Sequence, residues 1–208
     1  MRNFGFSKTE FDGTEHIYEA PQTLPLPDEF SYMHNLPKVI NQGDDPICVP
    51  CSVSAYVNWD KNMEDGIVED NNVDLFEIFE SRSDKNSNDG MSFKDALSFL
   101  KKEGVSTKDG KYKIKQYAVV TNLYALKYAI YVNGPCLGAL PVYNFNNAFW
   151  QKDYGDELEG LHAVSIVGYT KNSFIIRNSW GKSYGKDGYY ELKNEDINHF
   201  LELWTMIS

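Results

Sequence analysis

The sequence predicts an α+β protein of two lobes, on three observations. At 208 residues the chain is long enough for one compact domain or for two small lobes sharing an interface. Apolar and small residues in its first half recur at helical spacing. Past residue 110 the apolar residues fall instead into short β-type runs, so a helical half meets a β-rich half.

Residues 1–23 are mixed and turn-rich, and Leu24-Pro-Leu-Pro27 then stiffens the chain, which predicts an arm lying on the surface of the main fold. Cys51, Ser52, Ala55, Tyr56 and Trp59 predict a helix from near the cysteines to about Asp60, with a cysteine at its N-terminus. Shorter helices are expected at 73–80 and 92–103, the second with Ser92 as cap, Asp95 three residues on and Gly104 as stop. Between them, Ser81 to Gly90 reads as polar loop. Tyr112 to Val120 is strand-like, and Thr121 to Asn133 is a capped helix ended by Gly134-Pro135. Strands are expected at Cys136–Val142, Leu161–Tyr169, Ser173–Arg177, Gly188–Leu192 and Leu203–Ile207. The predicted division is an arm over 1–23 and a body over 24–208, helical to about residue 112 and β-rich from about 113.

A hydrophobic fraction of 42% with 14% aromatic residues is that of a folded chain, and a core of this size needs neither disulfide nor metal. The net charge of −10 and the lack of any basic run longer than Lys101-Lys102 argue against a nucleic-acid partner. Residues Met1 to Glu10 lack the apolar stretch of a signal peptide, and no apolar run approaches a membrane span. Three cysteines, an odd number, and the absence of an Asn-x-Ser/Thr sequon point to an intracellular setting.

Three signals carry chemistry. Residues 41–51 read N-Q-G-D-D-P-I-C-V-P-C, His162 opens an apolar strand-like run, and Asn178 sits in R-N-S-W-G-K-S-Y-G-K-D-G-Y. A thiol at a helix N-terminus has its thiolate favoured by the dipole, and a neighbouring imidazolium lowers its pKa further. His162 would accept the thiol proton and return it to a leaving amine, with Asn178 holding the ring and Trp180 shielding their contact. Gln42, in a turn upstream of the cysteines, is the candidate side-chain donor for a developing oxyanion. A lone C-x-x-C also suits a redox couple or half a zinc site. This chain offers no thioredoxin-like β-α-β context for the first, and its four histidines are scattered singly.

Together, N-Q-G followed by a cysteine opening a helix, then L-H-A-V-S-I-V-G-Y, then F-I-I-R-N-S-W-G-K-S-Y-G-K-D-G-Y-Y resemble the papain-like cysteine peptidases, in a short prokaryote- or virus-like form without a long prosegment. The resemblance spans about Leu24 to the C-terminus, and the separation of His162 from Asn178 also fits. It implies a papain-like fold, with a helical left lobe, a β-rich, barrel-like antiparallel right lobe and a substrate cleft between them. It further implies peptide-bond hydrolysis through a thioester, with no cofactor or metal and with a peptide or protein as partner. Asp89, Gly90, Leu161, Ala163 and Trp180 fall where substrate would lie, Ala163 being small enough to leave room for an apolar side chain.

Six positions separate Gln42 from Cys48, the spacing usual in that family, which makes Cys48 the nucleophile and Cys51 a small inward-facing residue. The alternative, Cys51 as nucleophile, needs a three-residue insertion and leaves Cys48 without an evident partner. The family's tryptophan after the nucleophile is Val49 here, and its second tryptophan in the Asn loop is Tyr184. A catalytically silent peptide-binding module and an acyl or amide transferase on the same thioester chemistry are the competing functions.

Overall fold

One long helix organises the chain. In the computed structural model, which describes residues 4–21, 25–85 and 90–208, α1 spans Cys48–Asp65 and buries every residue from Cys48 to Trp59. Pro50 falls in its first turn, where a missing N–H costs no helical hydrogen bond. The helix runs five residues past the expected end at Asp60, to a left-handed cap at Gly66. Its apolar period stops at Trp59, but the inward face continues in asparagines. Asn62 Nδ2 donates to the Asn35 carbonyl at 3.0 Å, and buried Asn71 donates to the Oδ1 atoms of Asn58 and Asn62. Buried amides paired in this way extend a core-facing stripe that hydropathy alone does not reveal.

Two capped helices pack beside α1. Asp74 accepts from the Glu77 N–H at the start of α2 (Leu75–Glu80), and Ser92 accepts from the Asp95 N–H at the start of α3 (Phe93–Lys102). The stretch expected as one strand, Tyr112 to Val120, is two. Tyr112 ends the hairpin β2 (Val105–Thr107) and β3 (Gly110–Tyr112), whereas β4 (Gln116–Val119) joins the large sheet of the other lobe. The alternating pattern is continuous because Ile114 stays buried while the backbone crosses from one lobe to the other. Helix α4 (Leu123–Asn133) is capped by Asn122, one residue later than expected. At Gly134 (φ +101°) a Cβ would lie 2.1 Å from the Trp59 ring, so only glycine lets the chain turn there.

The remaining strands are β5 (Cys136–Val142), β6 (Gly160–Tyr169), β7 (Ser173–Arg177), β8 (Tyr189–Lys193) and β9 (Glu202–Ile207), each within a residue of expectation at its start. Among the described residues they form an antiparallel sheet in the order β4-β9-β5-β6-β7-β8, with the short β1 (Phe30–Ser31) added on β6. The register places Leu140 opposite His162 and Ala139 opposite Ala163. The start of α1 lies against this part of β6, where Ser165 Oγ donates to the Ser52 carbonyl at 3.0 Å.

The N-terminal arm is more than a surface strip. Gly5, Phe6 and Thr9 are buried, and residues 5–7 pair in parallel with Met91: Met91 N–H donates to the Gly5 carbonyl and Ser7 N–H to the Met91 carbonyl, both at 3.0 Å. Further along, the Thr9 N–H meets Glu202 Oε1, Phe11 stacks on Trp204, and Tyr18 pairs with Val119. No helix among the described residues is long and apolar enough to cross a membrane.

Candidate active site

Cys48 is the first residue of α1, so the unpaired N–H groups of the helix's opening turn surround its backbone. Its Sγ accepts from the Ala163 N–H at 3.4 Å, which brings the thiol to the residue after His162. His162 is fully buried on β6, and its Nε2 lies 2.7 Å from Asn178 Oδ1 just beyond β7. Asn178 Oδ1 also accepts from the Ser179 N–H at 2.7 Å, and the Asn178 N–H donates to the Gly188 carbonyl, so the amide is held from two sides. Trp180 stacks on the His162 ring at 4.7 Å between centroids, and Phe149 backs both rings. The pair is sealed from water, which strengthens the His–Asn contact.

Gln42 reaches the same place by a different route. Its N–H donates to the Ser179 carbonyl, Ser179 Oγ donates to its Oε1 at 2.6 Å, and its Nε2 donates to the Asp45 carbonyl at 2.9 Å. One of the two Nε2 hydrogens remains for another acceptor. Asn41 pairs with Trp180 and the Gly181 N–H donates to the Ile40 carbonyl, so segment 40–42 is fixed to the loop 178–181. Ser179 carries this link; with neighbours as distinctive as Asn178 and Trp180, sequence reasoning passed over it.

Cys51 sits one turn along α1, beside a cavity of about 10 Å³ lined also by Ser52, Ser165, Arg177, Asn178 and Ser179. It therefore lies behind the His–Asn pair. All three cysteines are buried and reduced. Of the residues expected to meet substrate, Ala163 is fully buried beside the thiol, Trp180 covers the histidine, and Leu161 is half-buried two residues before Ala163. Gly90 (φ +93°) faces the arm, where an added Cβ would lie 2.2 Å from the Gly5 backbone. Asp89 lies outside the described residues. The acidic stretch before His162, residues 152–159, is largely exposed.

The sequence left two paths open for residues 1–23, along the helical lobe or partly over the cleft, and the arm takes the second, lying over this site. Phe4 packs edge-on to His162 and to Trp180, each at 6.4 Å, and Phe6 lies 4.9 Å from the Phe93 ring. Gly5 passes between them so close to Pro46 that a Cβ would fall 2.0 Å from its carbonyl oxygen. Cys48 is completely covered, and burial pushes its thiol up to about 11 against the backbone N–H donors of Ala163 and Gly5. The helix-start thiol expected to ionise readily is thus disfavoured as a thiolate with the arm in place, because burial outweighs the backbone N–H donors around it. Aromatics flanking a glycine, F-G-F at 4–6, were the available signal.

Among the described residues no cluster of ligating side chains suits a metal ion. The model of the papain family cysteine protease matches residues 48–202. A gut-specific cysteine proteinase of Caenorhabditis elegans is 30% identical over 97 residues, 43% of this chain and 29% of the relative. A cathepsin B-like CP3 of Giardia intestinalis is 36% identical over 77 residues, 33% of this chain and 25% of the relative. The matches thus span under a third of these curated relatives. Among solved structures, xylellain, a cysteine protease from Xylella fastidiosa, superposes with a TM-score of 0.84 at 21% identity, covering 100% of this chain and 96% of that one. A procathepsin B from Trypanosoma congolense gives 0.81 at 15% identity, covering 99% and 86%. With its helix-start cysteine, its His–Asn pair and a family match over most of its length, this chain belongs to the papain family of cysteine proteases.

Proposed function

We propose that the chain is a cysteine peptidase held latent by its own N-terminal arm. The observation that carries the reading is the meeting of Cys48 Sγ, at the start of α1, with the backbone beside His162, whose Nε2 is occupied by Asn178. With Nε2 occupied, Nδ1 is the ring atom that takes the thiol proton and later delivers it to the leaving nitrogen. The Cys48 thiolate attacks the scissile carbonyl. The oxyanion that forms is received by the remaining Gln42 Nε2 hydrogen and by the Cys48 backbone N–H. Collapse expels the amine and leaves a thioester on Cys48, which water hydrolyses by the same proton relay in reverse.

The arm occupies the cleft in a sense that resists cleavage. A substrate presents a carbonyl to Cys48 and its leaving nitrogen to His162, so the residue against the histidine follows the scissile bond. In the arm the residue against the histidine is Phe4, which precedes Gly5 over the thiol. Gly5 turns its N–H to the sulfur and gives its carbonyl to Met91. The Gly5 carbonyl is thus directed away from the thiol. The described arm residues, 4–21, thus act as a strap on a peptidase body of helical and β-rich lobes. The substrates are peptides or proteins bound in the cleft bounded by Gly90, Leu161, Ala163 and Trp180.

The test is peptide hydrolysis by the full chain carrying Gly5→Val, whose side chain has no room beneath Pro46. The variant is expected to turn over peptides faster than the wild type, and Gly5→Val with Cys48→Ser is expected to be inactive. Equal, negligible rates in wild type and Gly5→Val would reject the latent-peptidase reading.

A further inference from the structure

Cys51 has no part in the relay just described, yet it stands one helical turn from the nucleophile. Cys48 opens α1, Pro50 lies between them, and the Cys51 N–H already donates to the Ile47 carbonyl at 2.9 Å. Residues three apart on an α-helix share a face with Cα atoms about 5 Å apart. Disulfides span Cα separations of about 4.4 to 6.8 Å, so this pair can be bridged without moving the backbone out of the helix. The cavity of about 10 Å³ beside Cys51 gives its sulfur room to turn. Cys136, by contrast, points its Sγ at the Gly134 carbonyl from β5.

We infer that Cys51 is a resolving cysteine: after a hydroperoxide oxidises the uncovered Cys48, Cys51 closes a reversible Cys48–Cys51 disulfide. The inference rests on Cys48 being the nucleophile. In the first step the Cys48 thiolate attacks one peroxide oxygen, the O–O bond breaks and hydroxide leaves, giving a sulfenic acid. The Cys51 sulfur then attacks the sulfenic sulfur, the S–O bond breaks, and the departing hydroxide takes the Cys51 proton as water. Peroxide is reduced by two electrons and the thiol pair is oxidised by two. An external dithiol reverses the bridge.

The surroundings of Cys51 change in the direction this chemistry needs. Burial pushes its thiol up most, the charge of a Cys48 thiolate adds to that, Arg177 opposes both, and Asp45 adds a smaller upward push. Converting Cys48 to a neutral sulfenic acid removes the second cost and leaves the guanidinium in place. Arg177 is 5% exposed and pairs with the Tyr189 hydroxyl and the Lys38 carbonyl, so its charge stays beside the Cys51 cavity. Proximity within one turn supplies the high effective concentration that a largely protonated thiol requires. The arm adds a control: with Gly5 over Cys48, the peroxide has no path to the sulfur.

The experiment treats the full chain carrying Gly5→Val with hydrogen peroxide and reads intact mass, mapped thiols and peptidase activity before and after a dithiol. The expected product has lost two hydrogens, links Cys48 to Cys51 on peptide mapping, and regains activity on reduction. Adding Cys51→Ala, with Cys51→Ser as a second variant in case one fails to fold, is expected to keep starting activity. These variants should gain two or three oxygens at Cys48 instead and recover roughly tenfold less activity. The same over-oxidation with Cys51 present, or a Cys51→Ala chain that recovers equally well, would overturn the inference and leave the peptidase reading intact. Activity surviving Cys48→Ser would instead overturn the peptidase reading itself.

Discussion

Two segments flank the Cys48 thiol, and they are held in opposite ways. Residues 40–42 are tied to the loop 178–181 by backbone and side-chain bonds that include the buried 2.6 Å contact between Ser179 and Gln42. Residues 4–7 of the arm are held by two backbone bonds to Met91 and by Phe6 on Phe93. Farther out, the arm is anchored by Lys94, which pairs with largely exposed Asp12 and with Glu15, whose side chain is mostly covered. The first segment is built to keep a donor in place through a reaction. The second fills the cleft with contacts that can be given up together.

Breaking the fixed side should cost the most. Replacing the nucleophile, Cys48→Ser in an arm-opened chain, is expected to lower kcat by about 10⁴-fold or more, measured as single-turnover peptide cleavage. Gln42→Ala removes an oxyanion donor and is expected to lower kcat by about 10²-fold with little change in KM. Asn178→Ala frees the His162 ring and should cost a similar factor, with a displaced pH–rate profile that a purely structural defect would not produce.

Breaking the releasable side should raise activity. Phe6→Ala empties the contact with Phe93 and is expected to increase peptide turnover by about ten- to a hundredfold, since burying such a ring contributes about 1.5 to 3 kcal/mol to arm closure. Lys94→Ala should produce the smallest effect, about twofold and reduced by salt, because Asp12 is largely exposed, Lys94 itself is partly exposed, and such pairs contribute little even with Glu15 covered. A measurable effect of Lys94→Ala that persisted at high salt would mean that the clasp, and not the aromatic plug, holds the arm.

The same comparison fixes a pH dependence. Burial under the arm raises the Cys48 thiol from 9.0 to about 11, so closure favours its protonated form. Arm closure is therefore fully supported only below the range in which the uncovered thiol ionises, and loses that support as pH rises from there to about 11. Alkylation of wild-type Cys48 by iodoacetamide should climb only at strongly alkaline pH, whereas in Gly5→Val the profile should move down by several units, towards the range of thiols at helix starts.

Much of the fixed side was legible in the sequence, because its residues announce themselves locally. Cys48 precedes a helical apolar pattern, His162 opens a run with strand alternation, Asn178 sits in a glycine- and aromatic-rich loop, and Gln42, six positions before Cys48, is bonded to Ser179 beside Asn178. Caps at Ser92 and strands β5 to β9 were equally readable from local chemistry. The arm's path was not, because its partners, Met91, Glu202 and Val119, lie far along the chain and are met mostly through backbone atoms that leave no mark on side-chain pattern. The last turn of α1 and the break between β3 and β4 escaped for a related reason. In each, a polar residue or a continuous alternation masks where the buried face goes.

The central claim is most directly tested by peptidyl-epoxide labelling of the full chain, read by intact mass and peptide mapping in wild type, Gly5→Val, Gly5→Val with Cys48→Ser, and Gly5→Val with Cys51→Ser. The account predicts slow labelling of wild type, fast stoichiometric labelling of Gly5→Val at Cys48, loss of the adduct with Cys48→Ser and its retention with Cys51→Ser. An adduct that survives Cys48→Ser and disappears with Cys51→Ser would contradict it, as would wild type labelling as fast as Gly5→Val.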